Sequence, residues 1–248
     1  MTRFSPSILP DPFGQAILDY YNKNNAAAVI ERDDGLIDTD SGLELYFSNY
    51  NDWHPIEKKA IKFANGRTID IGCGAGRHSL YLQKKGFDVL GIDSSPLAIE
   101  VCKLRGLKNA LVIPFEKINV LAPVKFQTIM MFGNNFGLFS NLRKAKRLLK
   151  TLHKITTDDA YIIASTLDPY RTESNEHHEY HKLNRKHGRM CGQARIRFRY
   201  KKMIGPWFDY LFVSVPELKM ILEETGWMVK KIICQKGSSF YSMVLKKL

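Results

Sequence analysis

A doubly wound α/β fold, built on a mostly parallel seven-stranded sheet, follows from three features of the 248-residue chain. From Ile69 onward, short apolar runs alternate with stretches of helical length, as strands joined by crossover helices do. The first of these runs ends in a turn rich in glycine, and later helical stretches open or close on Ser-Pro and Gly. Seven apolar runs have strand length, and the 44% share of hydrophobic residues is enough to bury them.

The elements follow in order. Pro12 to Asn22 reads as a helix, and Asp34-Gly35 as the turn of a hairpin between Val29-Ile30 and Leu36-Ile37. Thr68 to Ile71 is a buried strand, followed by a helix from Arg77 to Lys85 that Gly86 stops. Phe87 to Ile92 is the second strand. Ser95 then caps a helix with Pro96 in its first position, and Gly106 ends it. Ala110 to Ile113, Thr128 to Phe132 and Ala160 to Thr166 are the next strands. Between the last two, Leu142, Ala145, Leu149 and Leu152 mark one side of a helix from Leu142 to Lys154. A helix from Pro216 to Glu224 and two closing strands, Val229 to Cys234 and Phe240 to Leu245, complete the core.

Two regions break this rhythm, which divides the chain into three parts. Residues 1–60 form an N-terminal extension, residues 61–167 and 214–248 the core, and residues 168–213 an inserted element. The insertion opens with a polar, His-rich helical stretch. In Ala194 to Tyr200, Ile196, Phe198 and Tyr200 then alternate with Arg195, Arg197 and Arg199, a strand with an aromatic-aliphatic face and an arginine face. Gly205-Pro206 is read as the turn to a returning strand within Trp207 to Val213.

Composition narrows the function classes. No apolar run approaches the roughly 20 residues of a membrane span. Met1 to Gly14 has one Arg and three prolines but no apolar segment of a secretory signal, so a cytoplasmic location is expected. The four cysteines form no C-x-x-C pair, which argues against a zinc ribbon or a redox motif. His177, His178 and His181 lack a third ligand at a familiar spacing, and no metal is expected. The net charge of +12 favours encounter with anions.

The most informative segment is Thr68-Ile-Asp70-Ile-Gly72-Cys73-Gly74-Ala-Gly76-Arg-His78. Its three glycines let the chain turn sharply and bring a ligand against bare backbone at the start of a helix. A dinucleotide site shows G-x-G-x-x-G, but here Arg77 stands in place of the last glycine. Asp70, two residues before Gly72, suits a ligand with an amino group better than a diphosphate. At the end of the second strand, Asp93 can accept both hydroxyls of a ribose.

With this D-x-G-x-G-x-G loop and that second acid, the chain resembles the class I S-adenosylmethionine-dependent methyltransferases, whose core is Rossmann-like. The resemblance covers residues 60–167 well and the closing elements loosely. It implies S-adenosyl-L-methionine as cofactor, held by Asp70, Gly72, Cys73, Gly74, Gly76, Asp93 and Ser94. It places Phe115 or Glu116 beside the base, although the family often has an Asp there. It also puts Phe132-Gly133-Asn134-Asn135-Phe136-Gly137 beside the transferring methyl group, with Gly133 and Asn134 near the cofactor and Asn135 near the acceptor. A plain Gly/Asn turn is the alternative for that segment.

The insertion is the expected acceptor platform. Arg195, Arg197 and Arg199 would suit a carboxylate or phosphate, and Tyr170, Trp207 and Tyr210 could wall a pocket. Alternatively, the arginines keep an exposed edge strand soluble. Methyl transfer does not demand a strong base, and none is assigned. The expected function is methyl transfer to a small, anionic acceptor. RNA or protein methylation, favoured by the charge, and a non-catalytic cofactor-binding module are the alternatives. The glycine spacing disfavours a nicotinamide oxidoreductase.

Overall fold

The computed structural model describes residues 10–39 and 42–248, so the segment read for a secretory signal lies, up to residue 9, outside the described residues. The chain runs α1 (Pro12–Tyr21), β1 (Val29–Arg32), β2 (Ile37–Asp38), α2 (Pro55–Ala60), β3 (Thr68–Ile71), α3 (Arg77–Lys84), β4 (Val89–Asp93), α4 (Pro96–Leu104) and β5 (Asn109–Val112). It continues with β6 (Phe126–Met131), α5 (Leu142–Lys154), β7 (Thr156–Leu167), α6 (Asn175–Lys186), β8 (Gln193–Tyr200), β9 (Met203–Ile204) and β10 (Phe208–Leu211). It closes with α7 (Val215–Leu222), β11 (Trp227–Cys234) and β12 (Phe240–Lys247).

The main sheet has seven strands in the order β11-β12-β7-β6-β3-β4-β5. From β7 to β5 all neighbours are parallel, and β12 runs antiparallel to both β7 and β11. This is the expected doubly wound sheet. Its two faces follow the period of two along each strand. Ile129, Met131, Ile162 and Ala164 join the layer under α5 and α7, while Met130, Phe132 and Ile163 join the layer under α2. Helix boundaries carry local chemistry. The Ser95 hydroxyl accepts from Ala98 N–H at 2.9 Å with Pro96 in the first helical position, and Ser214 and Glu217 form a capping box on α7.

A second, antiparallel sheet has the order β10-β8-β1-β2, with β9 paired to β8. It joins the N-terminal hairpin to the insertion, because β1 pairs with β8 from Val29↔Arg199 to Arg32↔Ile196. Two sequence readings are corrected here. β8 is an interior strand and not an edge, so its arginines do not serve to protect an edge. The chain turns first at Lys201 and Lys202 to form β9, where Lys201 takes φ 52°, and Gly205-Pro206 only links β9 to β10.

No helix among the described residues is long and apolar enough to cross a membrane.

Candidate functional site

β3 and β4 are parallel neighbours, with Asp70 opposite Gly91, and each has an acid in or at the end of its last turn of strand. Beyond β3 the backbone passes through Gly72, Gly74 and Gly76 at φ 71°, 55° and 79°, a region other residues enter only with strain. Two side chains lie directly on this bare backbone. A Cβ at Gly72 would come within 2.6 Å of Asn135 Nδ2, and one at Gly74 within 2.7 Å of the Tyr46 ring. Asn135 Nδ2 donates to the carbonyls of Ile71 (3.1 Å) and Gly72 (2.8 Å), so this residue braces the loop.

Asp93 closes β4 with its carboxylate turned into the loop. It accepts from the backbone N–H of Gly74 and of Ser95, both at 3.0 Å, and each oxygen keeps acceptor capacity. Burial raises its pKa against those hydrogen bonds. Asp70 lies deeper. The Ser79 hydroxyl donates to it at 2.6 Å, tying β3 to α3, and burial pushes its carboxyl up to about 6. Cys73 is buried, with its Sγ 3.8 Å from Cys102 Sγ, so it packs within the loop. Ser94, just past β4, is exposed.

The β6 exit forms the facing wall. Gly133 and Asn134 both take the left-handed conformation, at φ 64° and 66°. Asn134 N–H donates to Ser165 Oγ at 3.3 Å, and its carbonyl accepts from the Tyr210 hydroxyl at 2.7 Å. Asn134 Oδ1 is buried without a partner, an acceptor held ready at this wall. Gly137 is required by contact, since a Cβ there would fall 2.1 Å from the Tyr210 ring.

Tyr210 comes from the second sheet, whose inner face is aromatic. Phe13, Phe198 and Phe208 continue from Tyr46 toward Tyr210, with successive ring centroids 5.3, 5.0, 5.8 and 6.3 Å apart. The arginines point the other way. Arg197 makes a two-pronged contact with Glu31 at 2.8 and 2.9 Å, Arg199 joins it at 3.2 Å, and Arg195 lies 3.8 Å from Asp209. Trp207 lies under the Arg197 guanidinium at 4.3 Å. Cross-strand partners share a face, so the pairs Arg197↔Glu31 and Arg195↔Asp209 lie opposite Phe208↔Ile196 and Tyr210↔Ala194. Arg195, Arg197 and Arg199, expected at the acceptor, thus lie with their carboxylate partners on the face opposite Tyr210, and Trp207 packs against Arg197.

Phe115 and Glu116 follow β5, the neighbour of β4. Phe115 is buried against Phe139, with centroids 5.2 Å apart, and Glu116 pairs with Lys144 at 2.6 Å. Tyr170 is exposed and donates to Glu217 at 2.9 Å.

A buried polar cluster that sequence reasoning missed adjoins the loop. Glu57, on α2 and 3% exposed, accepts from Arg77 Nη2 at 2.9 Å. Burial alone would raise the Glu57 carboxyl. Neighbouring His78, Arg77 and the Gly133 amide outweigh it and hold the pKa below the usual value. His78 Nε2 lies 3.8 Å from Glu57, too far for a hydrogen bond, and has no partner. Burial pulls this imidazole down to about 4. One signal for Glu57 was present: Trp53, Ile56, Glu57 and Ala60 follow the spacing of a buried helix face.

Comparison with known proteins agrees with this geometry. A family model described as a methyltransferase domain matches residues 50–231. The fold is similar to the crystal structure of the SAM-dependent methyltransferase from Bacteroides fragilis in complex with S-adenosyl-L-homocysteine. The TM-score is 0.80 at 26% identity, with 96% of this chain and 95% of that one covered. Among curated proteins, a ubiquinone biosynthesis O-methyltransferase from Histophilus somni (strain 2336) is 32% identical over 75 residues, 30% of this chain and 32% of that protein. A 23S rRNA (uracil(747)-C(5))-methyltransferase from Pyrococcus abyssi (strain GE5 / Orsay) is 40% identical over 63 residues, 25% of this chain and 15% of that protein. The chain thus matches about a third or less of the length of these curated relatives.

Proposed function

The chain belongs to the methyltransferase domain family and is an S-adenosylmethionine-dependent enzyme, and from that premise we propose that it methylates a small-molecule acceptor seated beneath the second sheet. One observation carries the acceptor class. Tyr210 reaches down to the β6 exit, with its ring against Gly137 and its hydroxyl on the Asn134 carbonyl, so the second sheet covers the reacting end of the site. A covered, aromatic-walled site suits a compact acceptor better than a polymer. With the arginines on the outer face, this reading needs no anionic group on the acceptor.

The residues fit the cofactor. The turns at Gly72, Gly74 and Gly76 carry the loop past the end of β4, where Asp93 has acceptor capacity for ribose hydroxyls. Asn134 Oδ1 offers an unpartnered acceptor at the facing wall. Ser94 and Cys73 belong to this loop as neighbours, and Asp70 supports it from below. The cofactor supplies a methyl carbon on a cationic sulfur, which leaves as a neutral thioether. The protein's task is then orientation and exclusion of water. Gly133 and Asn134 hold the wall, Asn135 braces the loop, and Tyr210 closes the top. In this reading residues 61–167 and 214–248 form the catalytic core, and the extension and insertion together form its cover.

RNA is the second reading, favoured by α5, where Arg143, Arg147, Lys150 and Lys154 are exposed and no acidic residue occurs. Incubation with methyl-labelled cofactor separates the two. Label entering the low-mass fraction of a metabolite extract supports the small acceptor, and label entering bulk RNA overturns it.

A further inference from the structure

Resting for its readout on the methyltransferase reading, we propose that Cys73 and Cys102 form an oxidative modification site. A peroxide joins them in a reversible disulfide, and that bond lowers the affinity of the glycine loop for its cofactor. The two sulfurs come from different elements, Cys73 from the loop and Cys102 from α4, and lie 3.8 Å apart as free thiols. Glycines make the space they share. A Cβ at Gly91 would fall 3.0 Å from Cys73 Sγ, and one at Gly76 3.0 Å from Cys102 Sγ. Ile99, Leu107 and Ala110 complete an apolar wall, which suits an uncharged bond between sulfurs.

The step balances with the peroxide alone. Cys73 is 7% exposed and Cys102 is fully buried, so Cys73 is the sulfur a small oxidant reaches first. It attacks one peroxide oxygen, the O–O bond breaks, and a sulfenic acid and water form. Cys102 Sγ then attacks the Cys73 sulfur and displaces the second oxygen as water. Two thiols are oxidised, one peroxide is reduced, and both thiol protons leave in the two waters. The hydrogen bond with Cys102, and then burial, raise the Cys73 thiol well above the ordinary cysteine value. The reactive thiolate is therefore scarce at neutral pH, and the oxidation is slow.

The bond changes the loop because a thiol holds it. Cys102 Sγ donates to the Gly74 carbonyl at 3.0 Å, and Gly74 N–H donates to Asp93 at 3.0 Å, so this glycine is fixed on both sides. A disulfide has no proton to donate, and its sulfurs stand only about 2.05 Å apart. Closing the gap pulls Cys73 toward α4 and against its anchor, the Ile92 carbonyl, which accepts from Gly72 N–H at 2.8 Å and Cys73 N–H at 3.1 Å. The Gly74 amide then shifts on Asp93, the carboxylate read as the ribose contact.

The test uses Cys234→Ser protein, which lacks the exposed thiol, with hydrogen peroxide as oxidant and S-adenosylmethionine as probe. After hours with peroxide, tryptic digestion without reductant is expected to yield residues 68–77 joined to residues 86–103 through Cys73 and Cys102. Calorimetry should then show S-adenosylmethionine bound about tenfold or more weakly, the worth of one well-placed hydrogen bond, with recovery on dithiothreitol. Adding Cys102→Ser keeps a donor for Gly74, so affinity should stay within about twofold of the reduced parent and be unaffected by peroxide. Should circular dichroism show that variant unfolded, Cys102→Ala takes its place. Thiols left free or oxidised singly, a disulfide that leaves affinity unchanged, or an equal loss in the Cys102 variant overturns the proposal. A reduced parent that does not bind S-adenosylmethionine overturns the methyltransferase reading instead, a result distinct from the joined peptides, which still decide whether the disulfide forms.

Discussion

The Tyr210 hydroxyl donates to the Asn134 carbonyl at 2.7 Å, across 76 residues of chain, and so joins the second sheet to the turn that leaves β6. Burial raises the Tyr210 phenol above its ordinary pKa, which keeps it protonated and a donor. The ring of the same residue occupies the space a side chain at Gly137 would need.

Gly137→Ala is therefore expected to push Tyr210 off the turn. Overpacking of this kind costs about 1–3 kcal/mol, and methyl transfer should fall about tenfold or more as the wall opens to water. Tyr210→Phe keeps the ring and loses only the hydrogen bond, so its effect should be smaller. In a cycle of wild type, Gly137→Ala, Tyr210→Ala and the double variant Gly137→Ala/Tyr210→Ala, the penalties should be less than additive, as for residues in contact. Urea unfolding of the four proteins checks this, and strict additivity would show that the ring does not require the glycine.

Substitution at Gly74 should act through conformation as well as contact. Its φ of 55° disfavours any Cβ, and the new methyl group would meet the Tyr46 ring. Gly74→Ala is expected to lose about 1–2 kcal/mol of stability and to bind cofactor more weakly. Adding Tyr46→Ala relieves the contact but not the dihedral, so stability should return only in part. Full recovery would assign the whole cost to the ring.

His78 gives the protein an acid sensitivity of defined sign. Burial depresses its pKa from 6.5 to about 4, so its neutral form favours the fold. That contribution is complete above pH 6.5 and is lost as pH falls through about 4, with an upper bound near 3 kcal/mol. Asp70 has the opposite sign. Its carboxyl is raised from 3.8 to about 6, so its contribution is present below 3.8 and lost as pH rises through 6. Measured between pH 6.5 and 4, the stability of His78→Gln should decline less steeply than that of wild type. An identical decline would place the sensitivity elsewhere.

Much of the core was legible because its signals are local. Ser95-Pro96 marks the start of α4, the leucine spacing of Leu142 to Lys154 matches α5, and the acids and glycines around β3 and β4 stand at short separations along the chain. The cover was less legible because its arrangement is tertiary. Alternation showed that Arg197 and Phe198 point to opposite faces, but not which face meets the core. That depends on β1 pairing with β8, and Arg197 finds Glu31 166 residues away. The segment around Tyr46 and Glu57 consists of 3-10 turns and a six-residue helix. Such short pieces carry few turns, so no periodic pattern marks Tyr46, and Glu57 has only the short face it shares with Trp53, Ile56 and Ala60.

The central claim is that a nucleoside bearing a methionine portion lies along the glycine loop with its ribose on Asp93. Calorimetric titration of wild-type protein and Asp93→Asn with S-adenosylmethionine and with NADH tests it most directly. Binding of S-adenosylmethionine alone, weakened about tenfold or more by the substitution, is the predicted result. Binding of NADH instead, or S-adenosylmethionine affinity that is the same in both proteins, would contradict it.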